Sequence, residues 1–595
     1  MKKAFSLILI LCLLLTGCTD VSDSDSSSGN PDPTSAAAEA DFSQTDEDMF
    51  TARDQNAEYS NSTLIQLNGD SISCSDPSVT ISATTATITD EGTYVISGTL
   101  DDGMIIVDTE ETDKPQIVLS GASITNQTSA ALYIREADKV FVTLADGTSN
   151  TLSSGEDFIA IDDNNIDGAV YSKQDLTFNG SGSLTVTSPA GHGIVCKDDL
   201  IFTGGIYTIA SASHGLDAND SVRITNTSMT IDAGKDGIHV ENSDDAALGF
   251  LYISSGTITV EAEGDGMSSS YYTQICGGTI DLLCGGGYEN GTKSDSGSYG
   301  DFMGGGGMGG GGMGGSRPRS STSPSSSIND SGTSMKGIKS GSGILVSGGT
   351  ITIDSADDSV HGAGDVMING GAWNISSGDD GLHSDATLTI TACDMTIHEA
   401  YEGIEGAYIY IQGGTVWMNC SDDGLNAAGG VDSSGSSNRD GGFGGGMGSS
   451  DYGYIEISGG TLTIYSCGDG LDSNGDLLIS GGYTYVTNPR SGDVSVLDSQ
   501  NSPVITGGTY IGLGISSMMV QTFSAASSTQ AVIACTCGTQ AAGSALTVTD
   551  SKGNEILSLT TEYSTYLLII STPEIVSGAS YDISIGTVSG TVEAS

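Results

Sequence analysis

Carboxylates recur along this chain at a fixed interval. The clearest run reads Lys336-Gly-Ile-Lys339, Asp357-Asp358-Ser-Val-His361, Asp379-Asp380-Gly-Leu-His383, Tyr401-Glu402-Gly-Ile-Glu405 and Asp422-Asp423-Gly-Leu-Asn426. Lys336 to Asp358, Asp358 to Asp380 and Asp380 to Glu402 are each 22 residues, and Glu402 to Asp423 is 21. His214-Gly-Leu-Asp217 and Asp236-Gly-Ile-His239 keep the same 22-residue step. A period of this size means stacked similar units, so whatever recurs once per unit becomes a column in space. With strands about 4.8 Å apart, neighbouring carboxylates repel by roughly 1 kcal/mol in water and more where partly buried. Such a column calls for cations between its members. Calcium takes about six to eight oxygens at roughly 2.3–2.6 Å and tolerates irregular geometry better than magnesium. The expected ligands are Asp357, Asp358, Asp379, Asp380, Glu402, Asp422 and Asp423, with Asp236, Asp265 and Asp469 from other copies. Asp-Gly also makes ordinary turns, but turn chemistry accounts neither for Glu402 nor for the doubled acid before Ser359.

A second row lies two residues past the repeated glycine. It holds Asp217, His239, Lys339, His361, His383, Glu405, Asn426 and Asp472. Three readings stay open. Lys339 or Lys336 abstracts a proton alpha to a uronate carboxyl that calcium has acidified. Alternatively, Lys339, His361, His383, Glu405 and Asn426 form a polar strip that hydrogen-bonds sugars, or the row is simply solvated. By repeat alignment Trp373 takes an inward position, whereas Trp417 and Tyr485 share an outward row and can form a platform for sugar rings. Asp163-Asn-Asn165-Ile-Asp167-Gly168 has the first half of a calcium loop, but Gln174 stands where the bidentate Glu is needed, which favours an Asx-rich turn.

These residues have to be positioned by short strands. Gly-Gly-Thr-Ile-Thr-Ile at 348–353 alternates polar and apolar, the mark of a strand with one buried face. It recurs at 277–282, 413–418 and 459–464. Two or three such strands per unit, Gly/Asp/Asn turns and no helical periodicity predict an all-β fold, a right-handed parallel β-helix of about 22 residues per coil. The expected helix spans 60–510. Low-complexity Gly- and Ser-rich insertions interrupt it at 285–333 and 427–451. The period is lost after Tyr510, and 511–595 reads as a small antiparallel cap with a hairpin at 547–558.

The chain carries 18 basic and 75 acidic residues, a formal charge of −57. That argues against unassisted binding of nucleic acid or anionic membrane and favours cations, neutral ligands, or polyanions bridged by a cation. Lys2 and Lys3 precede a short apolar run, and Leu15-Thr16-Gly17-Cys18 matches a lipobox, so residues 1–18 read as a lipoprotein signal with Cys18 as the lipidated residue. Residues 19–59 are polar and read as a disordered tether. The expected location is extracellular, anchored by lipid to the outer face of the bacterial membrane or the cell surface, and the expected state is a monomer. The cysteine spacing supports buried thiols; Cys276 and Cys284 form the one pair whose spacing leaves a bridge open.

The ordered motifs Lys-Gly-Ile-Lys, Asp-Asp-x-x-His, Asp-Asp-Gly-Leu-His, Tyr-Glu-Gly-Ile-Glu and Asp-Asp-Gly-Leu-Asn resemble a family of secreted bacterial β-helix carbohydrate-binding proteins. Gly92-Thr-Tyr-Val-Ile-Ser-Gly-Thr99 and Ala137-Asp-Lys-Val140 extend the resemblance from about Leu64 to the C-terminus. It implies a pectate-lyase-like fold, calcium sites, and binding rather than cleavage of acidic or cellulosic plant polysaccharide. Ser359, where the pattern has Gly, and the two insertions depart from it. The expected function is therefore calcium-dependent, non-catalytic binding of polygalacturonate, pectin or cellulose. The rivals are a calcium-dependent lyase acting by β-elimination and a structural adhesin recognising protein.

Overall fold

The Thr-Ile-Thr-Ile alternation folds as its pattern demands: in the strand Thr350–Ser355 the isoleucines are buried and the threonines exposed. The computed structural model describes residues 40–293, 334–427, 453–492, 494–516 and 520–595. Strand makes up 54% of the chain and helix 1%, so the protein is all-β.

Strands pair in parallel with strands one repeat away, in three ladders. One runs through Thr279–Cys284, Thr350–Ser355, Ala372–Ser377, Asp394–Ala400, Thr415–Cys420, Thr461–Ser466, Tyr483–Asn488 and Thr509–Gly514. A second passes through Tyr272–Ile275, Gly343–Val346 and Val366–Ile368. The third, which carries the repeated phrase, includes Met267–Ser269, Ile338–Ser340, Val360–Gly362, Leu382–Ile390, Ile404–Ile411, Leu425–Ala427 and Leu471–Ser473. Inward residues stack along the ladders. Ile280, Ile351, Trp373, Met395, Val416 and Leu462 are register partners in one buried row. Trp373 therefore points inward as the repeat alignment expects. The second glycine of each Gly-Gly pair turns the chain between ladders. At Gly349 φ is +107°, and a Cβ would meet the carbonyl oxygen of Gly278 at 3.0 Å, which leaves little room for a side chain.

The sheet is mixed, because both ends pair antiparallel. Val79–Ser82 pairs with Thr85–Ile88 near the start. At the other end Thr509–Gly514 pairs antiparallel with Thr565–Ser571. The expected hairpin is present as Ala545–Asp550 with Glu555–Thr560, inside a separate four-stranded antiparallel sheet.

Two expectations need correction. Part of the tether is folded: within 40–59, Asp54 is 1% exposed and takes Lys139 Nζ at 2.9 Å and Thr177 Oγ1 at 2.8 Å. Met49 and Phe50 pack with Tyr252 and Tyr271. The segment is polar, but its polar groups find buried partners on the ladder instead of water. Cys276 and Cys284 are both free thiols. Cys18, most of the tether, and the insertions from 294 and from 428 onward lie outside the described residues.

Candidate functional site

The residue before the repeated glycine is chained from coil to coil by backbone hydrogen bonds. Gly193 N–H donates to His214 O, Gly215 to Asp236, Gly237 to Asp265, Gly266 to Lys336, Gly337 to Asp358, Ser359 to Asp380, Gly381 to Glu402, Gly403 to Asp423 and Gly424 to Asp469, at 2.9–3.0 Å. The column thus reads His192, His214, Asp236, Asp265, Lys336, Asp358, Asp380, Glu402, Asp423, Asp469. Ser359, which replaces a glycine, is buried, and its Oγ lies 2.9 Å from Ser355 Oγ.

Several of these carboxylates bind backbone of the next coil. Asp236 Oδ1 accepts from Asp265 N–H and Asp265 Oδ1 from Lys336 N–H, each at 2.8 Å, and Asp358 Oδ1 from Asp380 N–H at 3.1 Å. Asp423 and Asp469 accept likewise from Asp469 and Ser495. The acid is therefore part of the stacking itself, a role that turn propensity alone did not reveal.

The second row is continuous in register: Asp217, His239, Ser268, Lys339, His361, His383, Glu405, Asn426, Asp472. It lies beside the column, and the two rows pair. His361 Nδ1 is 2.8 Å from Asp358 Oδ2 and His239 Nδ1 is 3.0 Å from Asp236 Oδ2. His383 Nδ1 faces Asp380 at 3.1 Å and Glu405 at 2.9 Å, while its Nε2 faces Asp385 at 3.1 Å. Burial opposes charge on that ring, but the three carboxylates raise its pKa well above the usual histidine range. The His383 ring is closed to solvent and stacked 4.6 Å from the His361 ring.

The middle of the column carries its own cations. Lys336 Nζ sits 2.5 Å from Asp358 and 3.1 Å from Asp357, and Lys293 Nζ sits 2.5 Å from Asp379. Burial disfavours the Lys336 ammonium, yet the two aspartates raise its pKa. Burial would also raise Asp358, but Lys336 and His361 hold it well below the carboxylate range. Lys336 Nζ is buried and held between Asp357 and Asp358, an arrangement that favours the ammonium over the free amine. Lys339 is half-exposed, with Nζ 3.4 Å from Asp265 Oδ2.

Beyond Glu402 the balance changes. Among the described residues, Glu402, Asp423, Asp469 and Asp472 have no Lys, Arg or His within ion-pair distance. Burial, then neighbouring carboxylates, push Glu402 to about 8, Asp423 to about 9, Asp469 to about 7 and Asp472 to about 6. Asn426 Nδ2 donates to Glu402 Oε2 at 2.7 Å, while its own Oδ1 is buried and unbonded. Carboxylate and carbonyl oxygens are the donors that hard cations such as calcium take. Asp422 lies beside them, its backbone N–H bonded to Tyr401 O at 2.8 Å.

Other expected ligand contacts are not available. Tyr485 is buried in a second core with Tyr465, Ile533, Leu568 and Ile570, and Trp417 packs against it. Trp417 and Tyr485 do share a register row, through Thr463, but the C-terminal strands cover that row, so it offers no open platform. His383 and Asn426 are buried as well, so neither reaches solvent as a sugar-binding strip would require. The 163–168 segment is an Asx turn: Asn164 N–H donates to Asp162 Oδ1 at 2.9 Å and Asn165 Nδ2 to Asp167 at 2.9 Å. Missed in the sequence were His192 and His214, although His192-Gly-Ile and His214-Gly-Leu carry the repeated phrase with histidine in the acid position.

A protein from Acetivibrio thermocellus described as carbohydrate-binding domain-containing is 42% identical over 124 residues, which is 20% of this chain and 43% of that relative. This chain therefore aligns with less than half of that relative's length. A solved structure of a polysaccharide lyase-like protein from C. thermocellum, a gadolinium derivative, is 36% identical, with a TM-score of 0.37, over 38% of this chain and 92% of its own. A model for carbohydrate-binding domain-containing proteins matches residues 82–381 and 380–551, most of the chain. The chain belongs to the family of carbohydrate-binding domain-containing proteins.

Proposed function

We propose that this chain binds acidic polysaccharide through calcium without cleaving it, on coils that form a parallel β-helix, tethered at Cys18 to the outer face of a bacterial cell. The observation that carries the reading is the succession of carboxylates Glu402, Asp423, Asp469 and Asp472 along the stack, with Asn426 bonded to Glu402. Its carboxylates lack basic partners among the described residues, and it holds a buried acceptor without a donor. Calcium there would supply positive charge and bridge protein carboxylates to uronate carboxylates, which reconciles a polyanionic ligand with a chain of charge −57. Lys339 and His361, on the same register row, keep part of their side chains open and can donate to sugar hydroxyls. The two aspartates beside Lys336 favour its ammonium, which speaks against it as the base of a lyase and leaves Lys339 as the alternative.

The test is co-sedimentation of the chain with insoluble polygalacturonate in calcium and in chelator. Retention in calcium alone, with no ultraviolet-absorbing unsaturated product, is the expected result. Retention in both conditions would sink the bridging mechanism, and product release would install Lys339 as a base.

A further inference from the structure

The end of the column that starts at His192 has different chemistry from the rest. His192 and His214 occupy the position that carboxylates hold from Asp236 onward. The two rings stack 5.1 Å apart with planes 17° apart, and His214 stacks on His239 at 4.3 Å and 18°. Donor atoms of His192, His214 and Asp217 lie within 4.8 Å of one another. His192 Nδ1 is sealed from solvent and has no hydrogen-bond partner, an expensive state for a polar atom. Asp236 Oδ2 lies 3.0 Å from His239 Nδ1 and 3.4 Å from His214 Nδ1, and His214 Nδ1 accepts the Asp236 backbone N–H at 3.2 Å.

We propose that His192, His214 and Asp217 bind a first-row transition-metal dication of the zinc class. Nitrogen-rich donors select zinc, copper, nickel or cobalt, whereas all-oxygen sets select calcium or magnesium. Metal–nitrogen bonds of about 2.0–2.1 Å put tetrahedral ligands roughly 3.4 Å apart. The three donors, within 4.8 Å of one another, lie close to that spacing. Lys197 Nζ takes Asp217 Oδ2 at 3.1 Å, and a carboxylate has a second oxygen for the cation. This site lies several coils from Glu402 and Asp423 and does not depend on the polysaccharide reading.

The experiment is equilibrium dialysis of cobalt(II) against the full chain in excess calcium, with visible absorption as the readout of imidazole ligation. One cobalt per chain should be held against calcium and displaced by zinc. His192→Gln and His214→Gln should each weaken binding by at least about 10- to 100-fold, the loss typical even of an outer partner. If a histidine variant fails to fold, as circular dichroism would show, Asp217→Asn carries the same expectation with volume conserved. Cobalt that calcium displaces, or that survives these variants because His361, His383 and Asp385 hold it instead, overturns the proposal.

Discussion

Lys336 reaches across one coil to Asp358, its Nζ 2.5 Å from Oδ2, and both side chains are closed to solvent. An internal ammonium thus provides the charge that a bound dication would otherwise supply to this part of the column. Replacing Lys336 with Met takes the ammonium from buried Asp358 and leaves it only His361 as a cationic partner; breaking a buried ion pair typically costs about 3–5 kcal/mol. Denaturant unfolding in chelator should show that loss, and calcium should restore part of it by occupying the vacated carboxylates. A Lys336→Met chain as stable as the parent in chelator would remove the ammonium from the account.

His383 stands among Asp380, Asp385 and Glu405, and its pKa is raised. For a raised histidine, the stabilisation is fully present below the unfolded value of about 6.5 and is lost only as pH rises through the folded value. Both ring nitrogens should therefore still carry protons at pH 8, which nitrogen chemical shifts of a labelled ring would report. His383→Gln should lose stability at neutral pH, since the three carboxylates then share no cation.

Glu402, Asp423 and Asp469 titrate upward, to about 8, about 9 and about 7. A carboxyl raised in the folded state stabilises the fold below its unfolded pKa, and that contribution is lost as pH rises through the folded value. In chelator the melting temperature should fall between pH 5 and pH 9, where these groups are forced to ionise side by side. Saturating calcium should flatten the fall, because the cation binds the ionised form. Equal slopes with and without calcium would mean that the cation does not bind here.

Register was legible from the repeat. The identity of the row from Lys339 through His361, His383, Glu405 and Asn426, and the inward turn of Trp373, follow from period and alternation alone. What the repeat does not encode is which segment from elsewhere covers a given face. Lys293 comes from the start of an insertion to pair with Asp379. Asp54 docks on Lys139 and Thr177 from a stretch that looked like linker. His383 read as outward because its position alternates correctly, yet Asp385 and the neighbouring coils close over it. The repeat predicts acids that need metal, whereas Asp236, Asp265 and Asp358 each face a lysine or histidine and also accept a backbone N–H.

The aromatic row gives the last prediction. Tyr465 joins Trp417 at 5.4 Å and Tyr485 at 6.4 Å, and Tyr563 from the C-terminal segment lies 5.8 Å from the Tyr465 ring. Ile533, Leu568 and Ile570 complete that core. The rings therefore fasten the antiparallel segment to the last coils, and burial of aromatic surface is their contribution. Truncating a buried aromatic side chain to Ala costs about 3–5 kcal/mol through lost transfer energy and the cavity left behind. Tyr485→Ala should show a loss of that order on unfolding and should expose the C-terminal strands to protease before the ladders. Polysaccharide retention should persist, since Tyr485 is buried and cannot stack on a sugar. A Tyr485→Ala chain that keeps its melting temperature but no longer sediments with the glycan would return the aromatic row to the binding site.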